Sequence, residues 1–274
     1  MLFRSFGRHS PASLFSAVLL FSGPASALDA SLPPSGNFDL THWKLTLPSG
    51  SEIQAEVLSN GYTLGNVFYT DPVSGAMVFR CPNLAGTTAN SNYSRTELRE
   101  MLDPGSSAHD DSNNWTPADG GRMKARLKVN RVSTTGESTK VGRIIIGQIH
   151  GPDTEPVRLY FHKKPSDAKG RIYLASESVG GSTFWSTDIV SNKDGGGVAL
   201  GELFTYAITL KGTRLQVDIL RNRGAVVDTY VKDIDPAYKG LNLYFKAGLY
   251  NQNNTGTSSD YAKVTFYSLT HTHP

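Results

Sequence analysis

The chain has 274 residues, of which 38% are hydrophobic and 10% aromatic, with a formal charge of +3 and one cysteine. That length and apolar content support one large domain or two small ones and exclude wholesale disorder. The small net charge excludes a broad basic face for nucleic acid, so any anion site must come from a local cluster. One cysteine excludes an internal disulfide.

At the N-terminus, Arg4 and Arg8 precede the apolar run SLFSAVLLFSG, and Ala25-Ser26-Ala27 follows it. Positive segment, short apolar run and small-residue cleavage site, in that order, predict a signal peptide over 1–27 and a secreted, soluble domain over 28–274. Losing Arg4 and Arg8 with the leader takes the charge from +3 to +1. The apolar run is too short to span a bilayer comfortably, and no later stretch reaches that length.

Beyond the leader the dominant period is two. GYTLGNVFYT, RMKARLKV, VGRIIIGQIH, VRLYFHK, RIYLAS, LFTYAITL, RLQVDIL, LNLYFKAGLYNQ and YAKVTFYSL read in chain order as strands rich in Val, Ile, Tyr, Phe and Thr. Asn60-Gly61, Asp119-Gly120 and Asp194-Gly195 mark turns, and LKGTRL at 210–215 marks a hairpin. No long stretch carries a helical period, and DPAYKG at 235–240 holds at most one helical turn. The glycine-rich segment SNKDGGGVALGE reads as a flexible loop able to move as a lid. Cys81, within the apolar MVFRC, reads as a small buried residue. His109-Asp110-Asp111 reads as a solvent-facing loop, and His271-Thr272-His273 as a frayed tail. Many short strands predict an all-β fold, a sandwich or jelly roll in one domain, in which one sheet often curves into a concave groove suited to an extended polymer.

Three strands carry chemistry. In RTELRE, period two puts Arg95, Glu97 and Arg99 on one face, either as an anion site with the carboxylate orienting the guanidiniums or as a salt-bridge ladder. In GQIHG, Gln148 and His150 share a face, an arrangement suited to proton transfer beside a carboxylate but equally open to a structural histidine. Ile144 and Ile146 have the same parity as that pair, so either that part of the face is covered or a bulge shifts the register. In YFKAGLYNQ, Phe245, Ala247 and Leu249 fall on one face and Tyr244, Lys246, Gly248, Tyr250 and Gln252 on the other. A phenol near a cation can move a proton, while the same pattern also fits an outer face with snorkelling tyrosines.

The three segments occur together and in order. RTELR, QIH and YFKAGLYNQ, with WKLTLP over Trp43 to Pro48 as an N-terminal strand, resemble the marker segments of the polysaccharide lyase family 7 alginate lyases. The resemblance spans about residues 36 to 270, with no departure at the marker residues. It implies a β-jelly roll with the three segments adjacent on the concave sheet, and cleavage of alginate by β-elimination without a cofactor or metal.

By that resemblance Arg95 and Gln148, with help from His150, hold the uronate carboxylate. Tyr250 protonates the leaving oxygen and is also the base when the C5 proton lies on its side; His150 is the base for the opposite epimer. Arg99 and Lys246 contact neighbouring uronates, Glu97 orients the arginines, and Tyr244, Asn251 and Gln252 complete the groove. The implied partner is an anionic polysaccharide, and the implied enzyme a monomer of endolytic action. Isoleucine in the middle of QIH leans it toward guluronate or mixed blocks. Two rivals remain in other classes. A glycoside hydrolase needs two facing carboxylates, and Glu155, Glu177 and Glu202 are scattered along the chain. A non-catalytic carbohydrate-binding module leaves the His, Tyr and Arg convergence without a purpose.

Overall fold

The computed structural model describes residues 27–105, 113–221 and 225–274. Residues 1–26, nearly all of the expected leader 1–27, and the acidic segment 109–111 lie outside them. The described strands are β1 (Trp43–Thr46), β2 (Glu52–Ile53), β3 (Phe68–Thr70), β4 (Met77–Pro82), β5 (Arg95–Glu100), β6 (Gly121–Arg131), β7 (Arg143–His150), β8 (Val157–His162), β9 (Arg171–Glu177), β10 (Phe184–Val190), β11 (Leu203–Lys211), β12 (Arg214–Arg221), β13 (Ala225–Asp233), β14 (Tyr244–Asn251) and β15 (Tyr261–Thr272). Two short helices, Pro34–Asn37 and Ala55–Ser59, precede β3.

Strand formation follows the alternation. In β6, Met123, Ala125, Leu127 and Val129 are buried while Arg122, Lys124 and Arg126 face water, the pattern of a sheet with one wet side. All strand pairings are antiparallel. They build an eight-stranded sheet in the order β10-β9-β8-β7-β14-β5-β1-β2 and a seven-stranded sheet in the order β13-β12-β11-β6-β15-β4-β3. The inner faces meet in one core that includes Phe79, Leu98, Leu127, Ile149, Phe245, Leu249 and Phe266. Cys81 is buried there, and burial pushes its thiol far above the ordinary range, as expected of an inert packing residue.

Two local expectations need correction. GYTLGNVFYT is a strand only over Phe68–Thr70, because Gly61 and Gly65 take positive φ (89° and 40°) and break the extended run. In the glycine-rich loop Val198 and Gly170 exchange backbone hydrogen bonds of 2.8 and 2.9 Å, and the Lys169 ammonium donates to Gly195 O. Residues 271–272 are strand rather than frayed tail, because Glu100 anchors them. DPAYKG does form a single 3-10 turn, Pro236–Gly240, capped by Asp235. LKGTRL is the β11–β12 hairpin.

Glu100, at the end of β5, staples the two sheets. Its carboxylate accepts from Trp115 Nε1 (2.9 Å), Phe245 N (2.9 Å), His271 Nδ1 (2.5 Å) and His273 Nε2 (2.7 Å). Burial opposes its charge, but the two histidine bonds outweigh burial and hold the carboxyl down at about 2. His273 also places Nδ1 3.0 Å from Gly120 O, so both ring nitrogens meet acceptors and the ring is an imidazolium. Burial works against that charge, yet the bonds to Glu100 and Gly120 raise the imidazole above its ordinary value.

A raised folded-state value means that the stabilisation is complete below the unfolded histidine value, about 6.5. It fades as pH climbs through the folded value. Urea midpoints of the native protein should therefore fall between pH 6 and pH 9, and His273→Gln should flatten that dependence. Parallel pH profiles for the two proteins would contradict the assignment.

Candidate active site

Arg95, Glu97, Arg99, Gln148, His150, Tyr244, Lys246 and Tyr250 lie on three neighbouring strands, β7, β14 and β5, on the face of the eight-stranded sheet turned away from the core. Register does the assembling. Arg95 pairs with Tyr250, Glu97 with Gly248 and Arg99 with Lys246 across β5–β14. Lys246 pairs with Gln148 and Tyr244 with His150 across β14–β7.

A bulge resolves the parity problem in β7. The β7–β8 register shifts between Ile145 and Gly147. Ile144 and Ile146 therefore lie in the core, whereas Ile145 joins Tyr160, Tyr173, Ala175 and Tyr250 in a second apolar cluster. Past the bulge Ile149 returns to the core, which leaves Gln148 and His150 on the outer face. The bulge sits on Tyr206, whose hydroxyl donates to Ile146 O at 2.8 Å; a Cβ at Gly147 would lie 2.7 Å from that hydroxyl. The β14–β7 register shifts between Ala247 and Tyr250, where Gly248 has φ 133°. A side chain there would be strained and would place a Cβ 2.9 Å from Thr96 O.

Glu97 is the hub. Lys246 Nζ lies 2.8 Å from Oε2, Arg95 Nη1 lies 3.2 Å from Oε2, and Gln148 Nε2 donates to Oε1 at 2.5 Å. Glu97 is 1% exposed and Gln148 0%. Burial opposes ionisation of Glu97, but Lys246 and Arg95 outweigh it and lower the carboxyl. Burial also lowers Lys246, with help from Arg95, to about 8. Arg95 Nε and Gln148 Oε1 are buried without a hydrogen-bond partner among the described residues. Two cations against one carboxylate leave excess positive charge in a nearly dry patch.

Tyr250 and His150 stand at opposite ends of that patch. The Arg95 guanidinium lies 3.7 Å from the Tyr250 ring centre, and Ser91 Oγ is 2.7 Å from the phenol oxygen. Burial raises the Tyr250 phenol against the pull of Arg95, so it holds its proton at neutral pH. His150 stacks on Tyr244, with ring centres 5.1 Å apart at 13°. Its Nδ1 lies 2.5 Å from Gly151 O, a pure acceptor, so Nδ1 carries the hydrogen and Nε2 the lone pair. Burial first, then Lys246, lower His150 to about 4, which leaves it neutral.

The other expected residues divide. Arg99 lies 4.0 Å over the Tyr244 ring and donates to Glu100 O and Asn114 Oδ1. Asn251 does not reach this face. It is fully buried, and its amide donates to Asn83 Oδ1 (3.1 Å) and Cys81 O (3.4 Å), because it shares the parity of Phe245 and Leu249. Gln252 lies just past β14, where its N–H donates to Arg143 O. Among the described residues, Glu100, His271 and His273 form the one group of three His, Cys, Asp or Glu side chains with ligand atoms all within 4.8 Å of one another. That carboxylate already accepts from four donors, so the group is an ion cluster.

The family model described as alginate lyase matches residues 38–273. An alginate lyase of Klebsiella pneumoniae is 35% identical over 95% of this chain and 97% of its own. The crystal structure of the alginate lyase from Klebsiella pneumoniae superposes with a TM-score of 0.82 at 34% identity, covering 88% of this chain and 99% of that one. A family 7 alginate lyase with His-to-Asn and Tyr-to-Phe replacements, solved in complex with substrate, superposes at 0.71 with 34% identity, covering 89% and 97%.

The chain belongs to the family 7 alginate lyases. It is a polysaccharide lyase, an enzyme of elimination, on the jelly-roll fold of its relatives.

The alginate lyase fold also recruits residues that the sequence did not flag. Ser91 carries no signal beyond its nearness to RTELR. Glu155, one of the scattered acids, approaches His150 because only a short turn joins β7 to β8. Lys44 on β1 faces Arg99 across the pair and binds Glu52 at 2.9 Å.

Removing Glu97 strands two buried cations. Glu97→Ala should destabilise the protein by about 3–5 kcal/mol, measured by urea unfolding. A change within the roughly 0.5 kcal/mol of an ordinary surface substitution would show that the hub carries no structural weight.

Proposed function

We propose that this lyase cleaves the 4-O-glycosidic bond of alginate by β-elimination at the Arg95–Gln148–His150–Tyr250 face. The single observation that carries the assignment is the pairing of excess buried positive charge around Glu97 with a protonated phenol at one end and a neutral imidazole at the other. The C5 proton is weakly acidic because its removal adds charge beside an existing carboxylate. Arg95 and Gln148 bind that carboxylate and delocalise the charge. The C5–H pair then forms the C4=C5 double bond as the C4–O bond breaks, and Tyr250 Oη gives its proton to the leaving oxygen.

Mannuronate and guluronate differ at C5, so their protons leave from opposite sides. His150 Nε2 takes the proton on its side while the Tyr250 phenol protonates the leaving oxygen; for the other epimer Tyr250 first gives its proton to solvent, takes the C5 proton as a phenolate beside Arg95, and passes that proton to the leaving oxygen. Lys246 and Arg99 steer neighbouring carboxylates, with Tyr244 and Gln252 as further contacts; Asn251 is left out because its amide is bound inside the sandwich. The substrate complex of the relative carrying His and Tyr replacements supports this pairing of residue types. Action is endolytic on guluronate or mixed blocks. The enzyme works as a secreted monomer after loss of residues 1–27.

Incubation with alginate should raise the ultraviolet absorbance of a conjugated uronate; chain shortening without that chromophore would mean hydrolysis. Tyr250→Phe and His150→Ala should each lower turnover by about 10²–10⁴ on the linkage they serve, the range of a positioned acid or base. Near-native rates for Tyr250→Phe would remove it as the acid.

Arg95→Ala should cost more turnover than Arg99→Ala, because Arg95 sits beside the reacting centre and Arg99 is bound to Glu100 O and Asn114. The opposite order would exchange their roles.

A further inference from the structure

We infer that Glu155 is a positioning residue for His150, the group that receives the imidazolium formed when Nε2 takes the C5 proton; this rests on the reading of His150 as a base. Glu155 Oε1 lies 3.4 Å from His150 Nε2. That nitrogen bears the lone pair, since Nδ1–H is committed to Gly151 O. Before proton transfer the carboxylate stands beside a neutral ring. After transfer the imidazolium lies within ion-pair distance of an anion, 3.4 Å, while its Nε2–H stays directed at the carbon that gave the proton. An interaction made only after the proton has moved favours the transition state over the bound substrate.

The turn that carries Glu155 is fixed on several sides. Gly151 N donates to Thr154 O at 2.9 Å, and Glu177 N donates to Glu155 O at 3.2 Å. The Tyr238 hydroxyl holds Thr154 Oγ1 at 2.7 Å. Arg158 Nη1 lies 3.7 Å from Glu155 Oε2, and the same guanidinium is bonded to Glu177. One oxygen of Glu155 thus faces the imidazole and the other an anchored cation.

The groups bearing on His150 pull in both directions. Lys246 from β14 and Arg95 from β5 disfavour the imidazolium, and Glu97 favours it. Tyr244 covers one ring face and is neutral, its phenol pushed up to about 12 by burial. Arg158 lies behind Glu155. Among these groups Glu155 alone places an anion at Nε2.

Two consequences follow for Glu155→Gln, which keeps the shape and removes the charge. Turnover on the linkage that uses His150 should fall by about tenfold or more, part of the 10²–10⁴ that a general base supplies. Turnover on the linkage that uses Tyr250 as its base should change far less. The acid limb of kcat/KM on the His150-dependent block should also move to lower pH, because an imidazolium without its counter-charge loses its proton more readily.

The experiment compares native protein, Glu155→Gln, Glu155→Asp and His150→Ala on purified mannuronate and guluronate blocks across pH 4–9, with thermal melts as a folding control. Support is a block-selective loss in Glu155→Gln with the acid limb displaced downward, partly restored in Glu155→Asp. A loss equal on both blocks, or an unmoved acid limb, would overturn the role of Glu155. If His150→Ala itself spares both blocks, the base assignment fails, and the inference drawn from it falls too.

Discussion

A single carboxylate, Glu97, sets the terms for everything around it. It lies in the middle of β5 with almost no contact with water, so its charge has to be met by protein. Lys246 from β14, Gln148 from β7 and Arg95, two residues back on β5 itself, meet it. These contacts lock the side chains before any polymer arrives. Preorganised donors cost no rearrangement during reaction, which is the condition for strong electrostatic stabilisation of a charged transition state.

Dryness then tunes the proton-transfer groups without further machinery. Burial raises the Tyr250 phenol and lowers the His150 imidazole. The first remains an acid and the second an acceptor at neutral pH, although both stand beside cations. The net charge of the chain is small, so affinity for an anionic polymer comes from this local excess of cations rather than from a global field. The Glu100 cluster fulfils a comparable need at the end of the same strand, where a buried carboxylate binds β15 of the opposite sheet through His271 and His273.

Much of this was legible in the sequence. Period two in RTELRE and YFKAGLYNQ assigned Arg95, Glu97, Lys246 and Tyr250 to one face and Phe245 and Leu249 to the core, because a strand has only two sides. The conflict between Ile146 and Gln148 left a covered face or a bulge as alternatives, and the position of the bulge depends on Tyr206 in the other sheet. Asn251 was misplaced because a strand end was treated as groove lining, whereas its parity belongs to the core. His271 and His273 were read as a tail because nothing local reveals that Glu100, far away in sequence, needs donors. Glu155 was passed over for a similar reason: its importance lies in a distance, and only the short turn after His150 hinted at it.

The most direct measurement is a crystal structure of the Tyr250→Phe protein soaked with an alginate oligosaccharide. The account predicts one uronate carboxylate on Arg95 and Gln148, with its C5 between residue 250 and His150 Nε2 and Glu97 still bound to Lys246. A uronate seated elsewhere on the sheet, or with C5 out of reach of both side chains, would contradict it.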